Sequence, residues 1–317
     1  MSGSEKILGI TGAFGYIGKR LIENLKTKKA FHRVVCLDIV EPAEKLPDHF
    51  IFRHCDVRDT ETVVQTFQET RINTVVHLAF IAHPTRDPGF EHEVDITGTE
   101  NILLACEKLK IQKLVVASSD CAYGFFKETP DYLTEAFPLR ATPGFPYAEN
   151  KVKIEQMVEE FGRRVPSCRV TIIRPCIVMG PNMKNALSET LRQSVIVSFT
   201  GYDPIMQFVH EDDVAEAFYL AATNHESGAF NLAADKGMRF SEMVKEMGKR
   251  HLRLPVWLVY PLVNTLYALR ILAFGTAQLS YIRFPLSMNI EKIKNVLGFS
   301  PKYTSKQTLA SFRDAER

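Results

Sequence analysis

The sequence predicts an α/β fold: a Rossmann-type doubly wound parallel sheet with a smaller, mainly C-terminal substrate lobe. Three observations predict it. A short apolar run at Ile7, Leu8 and Ile10 leads into Gly12, Gly15 and Gly18, which recur every three residues ahead of an amphipathic run from Lys19 to Leu25. Further apolar runs of strand length at 33–40, 50–57, 74–80, 113–119 and 169–175 alternate with stretches of helical spacing, a pattern that gives parallel strands joined by right-handed crossovers. Residues able to hold a ligand (Asp38, Asp56, Ala79, Ser118, Ser119 and Pro175) fall at the ends of those runs, where open α/β sheets bind ligands.

The bulk properties agree with a large globular unit. A chain of 317 residues suits one big α/β unit or two closely joined lobes. A formal charge of +2 gives no reason to expect a nucleic-acid partner. The cysteines (Cys36, Cys55, Cys106, Cys121, Cys168 and Cys176) contain no C-x-x-C pair, which argues against a disulfide frame or a zinc site, so no metal is expected. Ser, Gly, Glu and Lys lead straight into the first strand, so no secretory signal is expected and a cytoplasmic location is.

Taken in order, residues 6–18 read as strand, glycine turn and helix start, the context of a dinucleotide fingerprint. One glycine lets the chain reverse, a second lets backbone approach a pyrophosphate, and a third lets helix pack on strand. The helix N-terminus, at Tyr16 and Ile17, offers unpaired N–H groups to the anion. The second strand ends near Asp38, twenty residues beyond Gly18, where a carboxylate can accept bonds from two ribose hydroxyls and repel a 2′-phosphate. NAD is therefore expected in preference to NADP. Asp56, followed by Val57, ends the third strand and is a candidate contact to adenine. A helix is expected over 59–70. In the fourth strand, Leu78, Ala79 and Phe80 come next to the cofactor, with Ala79 small enough for close approach, and His77 reads as a core histidine. Helical spacing covers 90–109, and the fifth strand ends in the hydroxyls of Ser118 and Ser119.

The chemical centre is Tyr147 and Lys151, which open a helix expected to run to about Arg164. Side chains four apart share a helix face. An ammonium there, with the positive nicotinamide ring, is expected to lower the tyrosine pKa toward operating pH. Tyr147 then moves a proton on a substrate hydroxyl, Lys151 supports it and holds the nicotinamide ribose, and Ser119 bonds the same substrate oxygen.

These segments together resemble the extended short-chain dehydrogenases/reductases, the group of nucleotide-sugar epimerases, dehydratases and 3β-hydroxysteroid dehydrogenases. The resemblance covers nearly the whole chain. T-G-A-F-G-Y-I-G at 11–18 is similar to T-G-x-x-G-x-x-G, and H-L-A-F at 77–80 to H-L-A-A, with Phe80 a departure that would narrow the cofactor cleft. D-I-T-G-T at 95–99 resembles N-V-x-G-T with Asp95 in place of Asn. S-S-D-C-A-Y-G at 118–124 resembles S-S-x-x-V-Y-G and maps the catalytic hydroxyl to Ser119. Arg174-Pro175, Gly180-Pro181, F-V-H-E-D-D-V-A at 208–215 and L-G-F-S-P at 297–301 are further landmarks, the last similar to the tail of the epimerases. The family habit implies a homodimer packed through helices at 90–109 and 147–164.

The departures bear on the substrate. Epimerases of the group usually carry an Asn at the position of Ile177 and an Arg at that of Met206, both aimed at a diphosphate. Apolar residues at both places point to an uncharged, apolar substrate, sterol-like or otherwise bulky. Asp120 and Cys121 stand where dehydratases carry an acid and a base, so a dehydratase lacks half its apparatus. With Ile177, Met206 and His210, these two complete the candidate substrate pocket. Residues 254–286 are apolar but interrupted by Pro255, Pro261, Asn264, Arg270 and Arg283. That is too short and broken for a span. The stretch reads as an interfacial segment making weak contact with a membrane surface, as a pocket wall, as a buried helical lobe or as a dimer surface.

The expected organisation is a cofactor domain of residues 1–175 with 229–235, and a substrate lobe of 176–228 with 236–317. The expected activity is NAD-dependent, reversible hydride transfer at a secondary alcohol or ketone of a small molecule, by Ser119, Tyr147 and Lys151. The alternatives are a UDP-glucose type 4-epimerase that keeps its NAD, and a silent NAD-sensing binding protein.

Overall fold

Every residue of β1 (Ile7–Thr11) is buried, as a parallel strand covered on both faces requires. In α1 (Tyr16–Leu25), Gly18, Leu21, Ile22 and Leu25 are buried. The parallel strands β2 (Arg33–Asp38) and β3 (Phe50–His54) extend the sheet, with Ile10 opposite Cys36 and Cys36 opposite Phe52. β3 ends before the expected Val57 because the chain turns to start α2 (Thr60–Thr70): Asp59 N–H donates to the Asp56 carbonyl, and the Asp59 carboxylate caps the helix. This computed structural model describes residues 5–81, 85, 87–272 and 274–316; the start of the chain, where no signal is expected, lies outside them, as does Ala273 of the apolar stretch.

On the other side of β1 lies β4 (Thr74–His77). The single helix expected at 90–109 is instead three pieces: α3 (Pro88–His92), a π turn at Glu93–Thr97, and α4 (Gly98–Lys108). The π turn buries Asp95, which accepts from Ile81 N–H at 2.9 Å and from the Asn150 amide at 3.1 Å. Such insertions change which side chains face inward, and they recur at functional sites. β5 (Lys113–Ala117) runs into a 3₁₀ turn at Asp120–Tyr123, capped by Ser119. The helix α5 (Pro146–Arg164) and the strand β6 (Arg169–Pro175) follow.

The chain then leaves the sheet through β7 (Ile177–Met179), α6 (Ala186–Arg192), β8 (Val195–Phe199), β9 (Ile205–Met206) and β10 (Phe208–His210). It returns as α7 (Glu211–Thr223) and β11 (Gly228–Leu232). It leaves again through β12 (Met238–Arg239), α8 (Phe240–Glu246), β13 (Arg250–Leu254), α9 (Val256–Ala268), a 3₁₀ turn at Gln278–Ile282, α10 (Glu291–Leu297) and α11 (Ser305–Ala315). The main sheet has the order β11-β6-β5-β4-β1-β2-β3, all parallel. β7 pairs with β10, β9 with β12 and β8 with β13 in small ribbons outside it.

Two apolar cores sandwich the sheet. One joins Leu21 of α1 to Val214 and Phe218 of α7, and the other joins Phe67 of α2, Ile102 of α4 and Phe161 of α5. Helices thus cover both faces, the doubly wound arrangement. α7, from a stretch expected in the substrate lobe, packs on α1, where Arg20 binds Asp212 and Asn24 and Lys28 bind Glu216. A third core outside the sheet is rich in methionine, with Met179, Met183, Met206, Met238, Met243 and Met247. Unbranched thioethers fill the irregular gaps between these short elements.

Candidate functional site

The glycine turn is held by sterics. Gly12 has φ +63°, and a Cβ on it would lie 2.8 Å from the Leu78 carbonyl oxygen and the Ala79 nitrogen. A Cβ on Gly18 would lie 2.5 Å from the Ala13 carbonyl oxygen, so only glycine lets α1 pack this closely on the turn. Gly15 is the N-cap, and no side chain accepts from the first turn of α1. Its N–H groups therefore remain for an anion. Next to the turn, the Thr11 hydroxyl bonds His77 Nδ1 at 2.7 Å and accepts from Leu78 N–H at 3.2 Å. His77 Nε2 reaches Thr99 at 3.3 Å. Burial holds the histidine neutral, with its pKa pushed down to about 3, so it serves as a strut between strands.

Asp38 sits at the end of β2, where its carboxylate accepts from Phe14 N–H at 2.8 Å and from Val40 N–H at 3.0 Å. The acid is thus pinned to the glycine turn. Asp56 is engaged by Arg58, whose Nη2 donates at 2.6 Å and which holds the carboxyl below its ordinary range. Val57 is buried against Gly98. Tyr16 donates to Glu211 at 2.6 Å, which joins the first turn of α1 to the start of α7; burial and that carboxylate raise the phenol's pKa.

At the carboxyl end of β5, Ser119, Tyr147 and Lys151 come together. Lys151 is buried and donates to the Ala117 carbonyl at 2.8 Å. Burial lowers its pKa to about 8, against the opposing pull of Asp95, Glu155 and Cys121. Tyr147 is half-buried. Desolvation raises the phenol well above its ordinary value; Cys121, Asp120 and Asp95 push the same way, and a hydrogen bond with Ser119 opposes them. The expected depression of the tyrosine pKa is therefore not a property of the chain alone, because burial outweighs the nearby ammonium.

Ser118, read as a cofactor contact, turns the other way: its hydroxyl donates to Glu155 and its N–H to the Ile173 carbonyl at 2.8 Å. Glu155 is the residue sequence reasoning missed. It pairs with Arg174 at 2.6 Å, Arg174 donates to the Tyr123 hydroxyl at 2.7 Å, and that hydroxyl donates to Asn231 at 2.7 Å. The chain of bonds ties α5, β6 and β11 together directly behind the triad. Its signal was present: Glu155 lies four residues after Lys151, on the face that carries Tyr147. Pro175 ends β6, opposite Leu232 of β11.

A small cavity of about 10 Å³, room for about one water molecule, is lined by residues that include Asp120, Ile177, Met206, Gln207, Tyr281 and Leu286. It thus unites three of the candidate pocket residues, and among the described residues its lining contains no cation. The Gln207 amide is committed to the backbone of Ala234 and Met288, which leaves Asp120 and the Tyr281 hydroxyl as its polar features. Burial raises the Asp120 carboxyl to about 6 and the Cys121 thiol well above its ordinary value. Pockets for drug-sized ligands run to about 300–1,000 Å³, far more than this cavity holds, so a sterol-sized molecule does not fit it as it stands. His210 is not brought to it: its ring accepts from Asp212 N–H at 3.2 Å as the cap of α7 and stacks on Tyr303 at 3.8 Å. A wider groove between α5 and the amino ends of β6 and β11, at Arg169 and Gly228, opens at the opposite end of those strands from Ser119.

The model of the NAD dependent epimerase/dehydratase family matches residues 8–233. An uncharacterized protein of Mycobacterium tuberculosis is 27% identical over 317 residues, covering 98% of this chain and 83% of its own. Human short-chain dehydrogenase/reductase family 42E member 1 is 29% identical over 250 residues, covering 74% of this chain and 61% of its own. Among solved structures, a UDP-glucose 4-epimerase of Thermus thermophilus, in complex with NAD, superposes with a TM-score of 0.75 at 22% identity over 98% of both chains. That likeness concerns the fold. With more than half of the sequence inside the family model, the chain belongs to the NAD dependent epimerase/dehydratase family.

Proposed function

We propose that the protein is an NAD-dependent dehydrogenase/reductase that interconverts a secondary alcohol and ketone on a small apolar substrate. One observation carries the reading. Ser119, Tyr147 and Lys151 meet at the same edge of the sheet as the glycine turn, next to a cavity whose lining, among the described residues, has no cation and includes Ile177 and Met206. Among the described residues a nucleotide-sugar diphosphate would find no basic side chain in that lining.

The turn fits a dinucleotide: Gly12 and Gly18 leave backbone where side chains would intrude, and the uncapped start of α1 suits a pyrophosphate. Asp38 would take the adenosine ribose hydroxyls and disfavour a 2′-phosphate. Bound there, NAD supplies the hydride acceptor. As the phenolate, Tyr147 would accept the hydroxyl proton of the substrate and become the phenol; in reverse, the phenol gives that proton to the carbonyl oxygen. Ser119 bonds the same oxygen and aligns it. Lys151, as an ammonium, stabilises the phenolate, which is the starting form in oxidation and the product form in reduction. In this reading residues 176–228 and 236–317 supply most of the substrate contacts.

The 4-epimerase is the competing reading, supported by the L-G-F-S-P tail. That segment, however, has a packing role: Leu297 and Phe299 are buried, and Asp213 accepts from the N–H groups of Lys302 and Tyr303. Purified protein assayed for bound NAD(H), then with UDP- and dTDP-sugars and small apolar secondary alcohols by NADH absorbance, separates the two. Net NADH from the alcohols supports the dehydrogenase; sugar isomerisation with no net NADH contradicts it.

A further inference from the structure

We propose that α9, with the ribbon of β8 and β13, docks the protein on the surface of an anionic phospholipid bilayer. Between Glu246 and Glu291 the sequence has no acidic residue, yet it carries Lys249, Arg250, Arg253, Arg270 and Arg283. α9 is not the core of a lobe. Val263 is its only fully buried residue, while Trp257 is 75% exposed, Leu258 46% and Leu262 56%. The apolar exposure continues past the helix in Leu269 and Ile271, at 64% and 63%. On the ribbon, Leu252 lies opposite Val197 and both are exposed, as is Val195. Exposed apolar area of this extent marks an interaction surface.

Three features select a bilayer as the occupant. First, the rim is basic: Arg250 and Arg253 are exposed, and among the described residues neither they nor Lys249 pair with a carboxylate. Second, a second copy would present the same patch across a two-fold axis and bring like charges together. Third, the 13 residues of α9 span about 20 Å at 1.5 Å per residue, too little to cross a hydrocarbon core of about 30 Å. Among the described residues no helix is long and apolar enough to cross a membrane. A short apolar helix with a tryptophan at its start and cations around it suits the interface plane. Arg283 has another task, donating to the hydroxyls of Tyr202 and Tyr260 and fastening α9 to the body of the protein.

Trp257 is the only tryptophan in the chain, so tryptophan emission, excited selectively over tyrosine, reports on this helix alone. Full-length protein is titrated with vesicles of phosphatidylcholine mixed with phosphatidylglycerol, and separately with phosphatidylcholine alone. The expected result is a blue shift with the mixed vesicles, protection from acrylamide and co-sedimentation. With about 1 kcal/mol from each surface cation, binding to the neutral vesicles is expected to be roughly 100-fold weaker. The double variant Leu258→Glu with Leu262→Glu should abolish the shift while keeping the circular dichroism of the parent. Arg250→Gln with Arg253→Gln should weaken binding to the anionic vesicles alone. Unchanged fluorescence with the anionic vesicles would overturn the proposal. So would a blue shift that grows with protein concentration in the absence of lipid, since a second copy would then cover the patch.

Discussion

The Lys151 ammonium lies 3.3 Å from the centre of the Phe80 ring. Phe80 stands where the resembled pattern has alanine, and it does more than narrow a cleft: its face lies against the lysine. A buried ammonium that donates to the Ala117 carbonyl benefits from such a second contact.

Phe80→Leu keeps an apolar side chain and removes the ring face. A cation–π contact contributes about 0.5–2 kcal/mol to the charged form, so the variant should titrate Lys151 roughly one pH unit below the parent's value of about 8. The alkaline fall of kcat/KM reads this. A profile identical to the parent's would show that the ring does not support the ammonium.

Asp95→Asn acts in the same direction through charge. Asp95 favours the Lys151 ammonium and disfavours the Tyr147 phenolate. The neutral variant should move the lysine titration down and the tyrosine titration down together, shifting the whole kcat/KM profile toward lower pH. A shift toward higher pH would contradict the placement of Asp95 in the π turn.

Asp120 gives a pH dependence of stability whose sign is fixed. Its folded-state pKa is raised from 3.8 to about 6 by burial. Between those values the native state holds a proton that the unfolded chain has lost, so stability falls as pH rises through that window and stays lower above it. Asp120→Asn keeps the bond from Ser119, removes the charge and should raise unfolding free energy by on the order of 2 kcal/mol at neutral pH, with little change near pH 4. Urea unfolding at the two pH values measures it. Equal effects at both would show that the carboxyl is not desolvated.

Glu155→Gln tests the network behind the triad. Removing one partner of a buried ion pair leaves Arg174 uncompensated, at a cost of about 3–5 kcal/mol. Neutralising Glu316, which pairs with Arg192 on the exposed surface, should cost far less. Comparable losses in the two variants would contradict the burial of the Glu155–Arg174 pair.

Much of the architecture was legible because period and punctuation are local. Six apolar runs and a glycine turn are each written in a few adjacent residues. Gly12, Asp38, Ser119, Tyr147 and Lys151 sat at predicted element ends, and the fold brings those ends to one edge of the sheet. What was hidden depends on distant contacts. The π turn at Glu93–Thr97 follows from what Asp95 bonds, namely Ile81 and Asn150. His210 is taken out of the pocket by Tyr303, a partner 93 residues away along the chain. Ser118 looked equivalent to Ser119, and only Glu155 distinguishes them. The apolar stretch after Leu254 could not reveal its own orientation, since composition is the same for a helix facing the core and one facing outward.

The most direct test of the central claim is NADH formation from small apolar secondary alcohols by the parent protein and by Tyr147→Phe, with NAD binding measured for both. The account predicts net NADH from the parent and a loss of at least about 100-fold in the variant, the contribution of a positioned proton acceptor, with NAD binding retained. Turnover unchanged in Tyr147→Phe, or a parent that isomerises nucleotide sugars and releases no NADH, would contradict it.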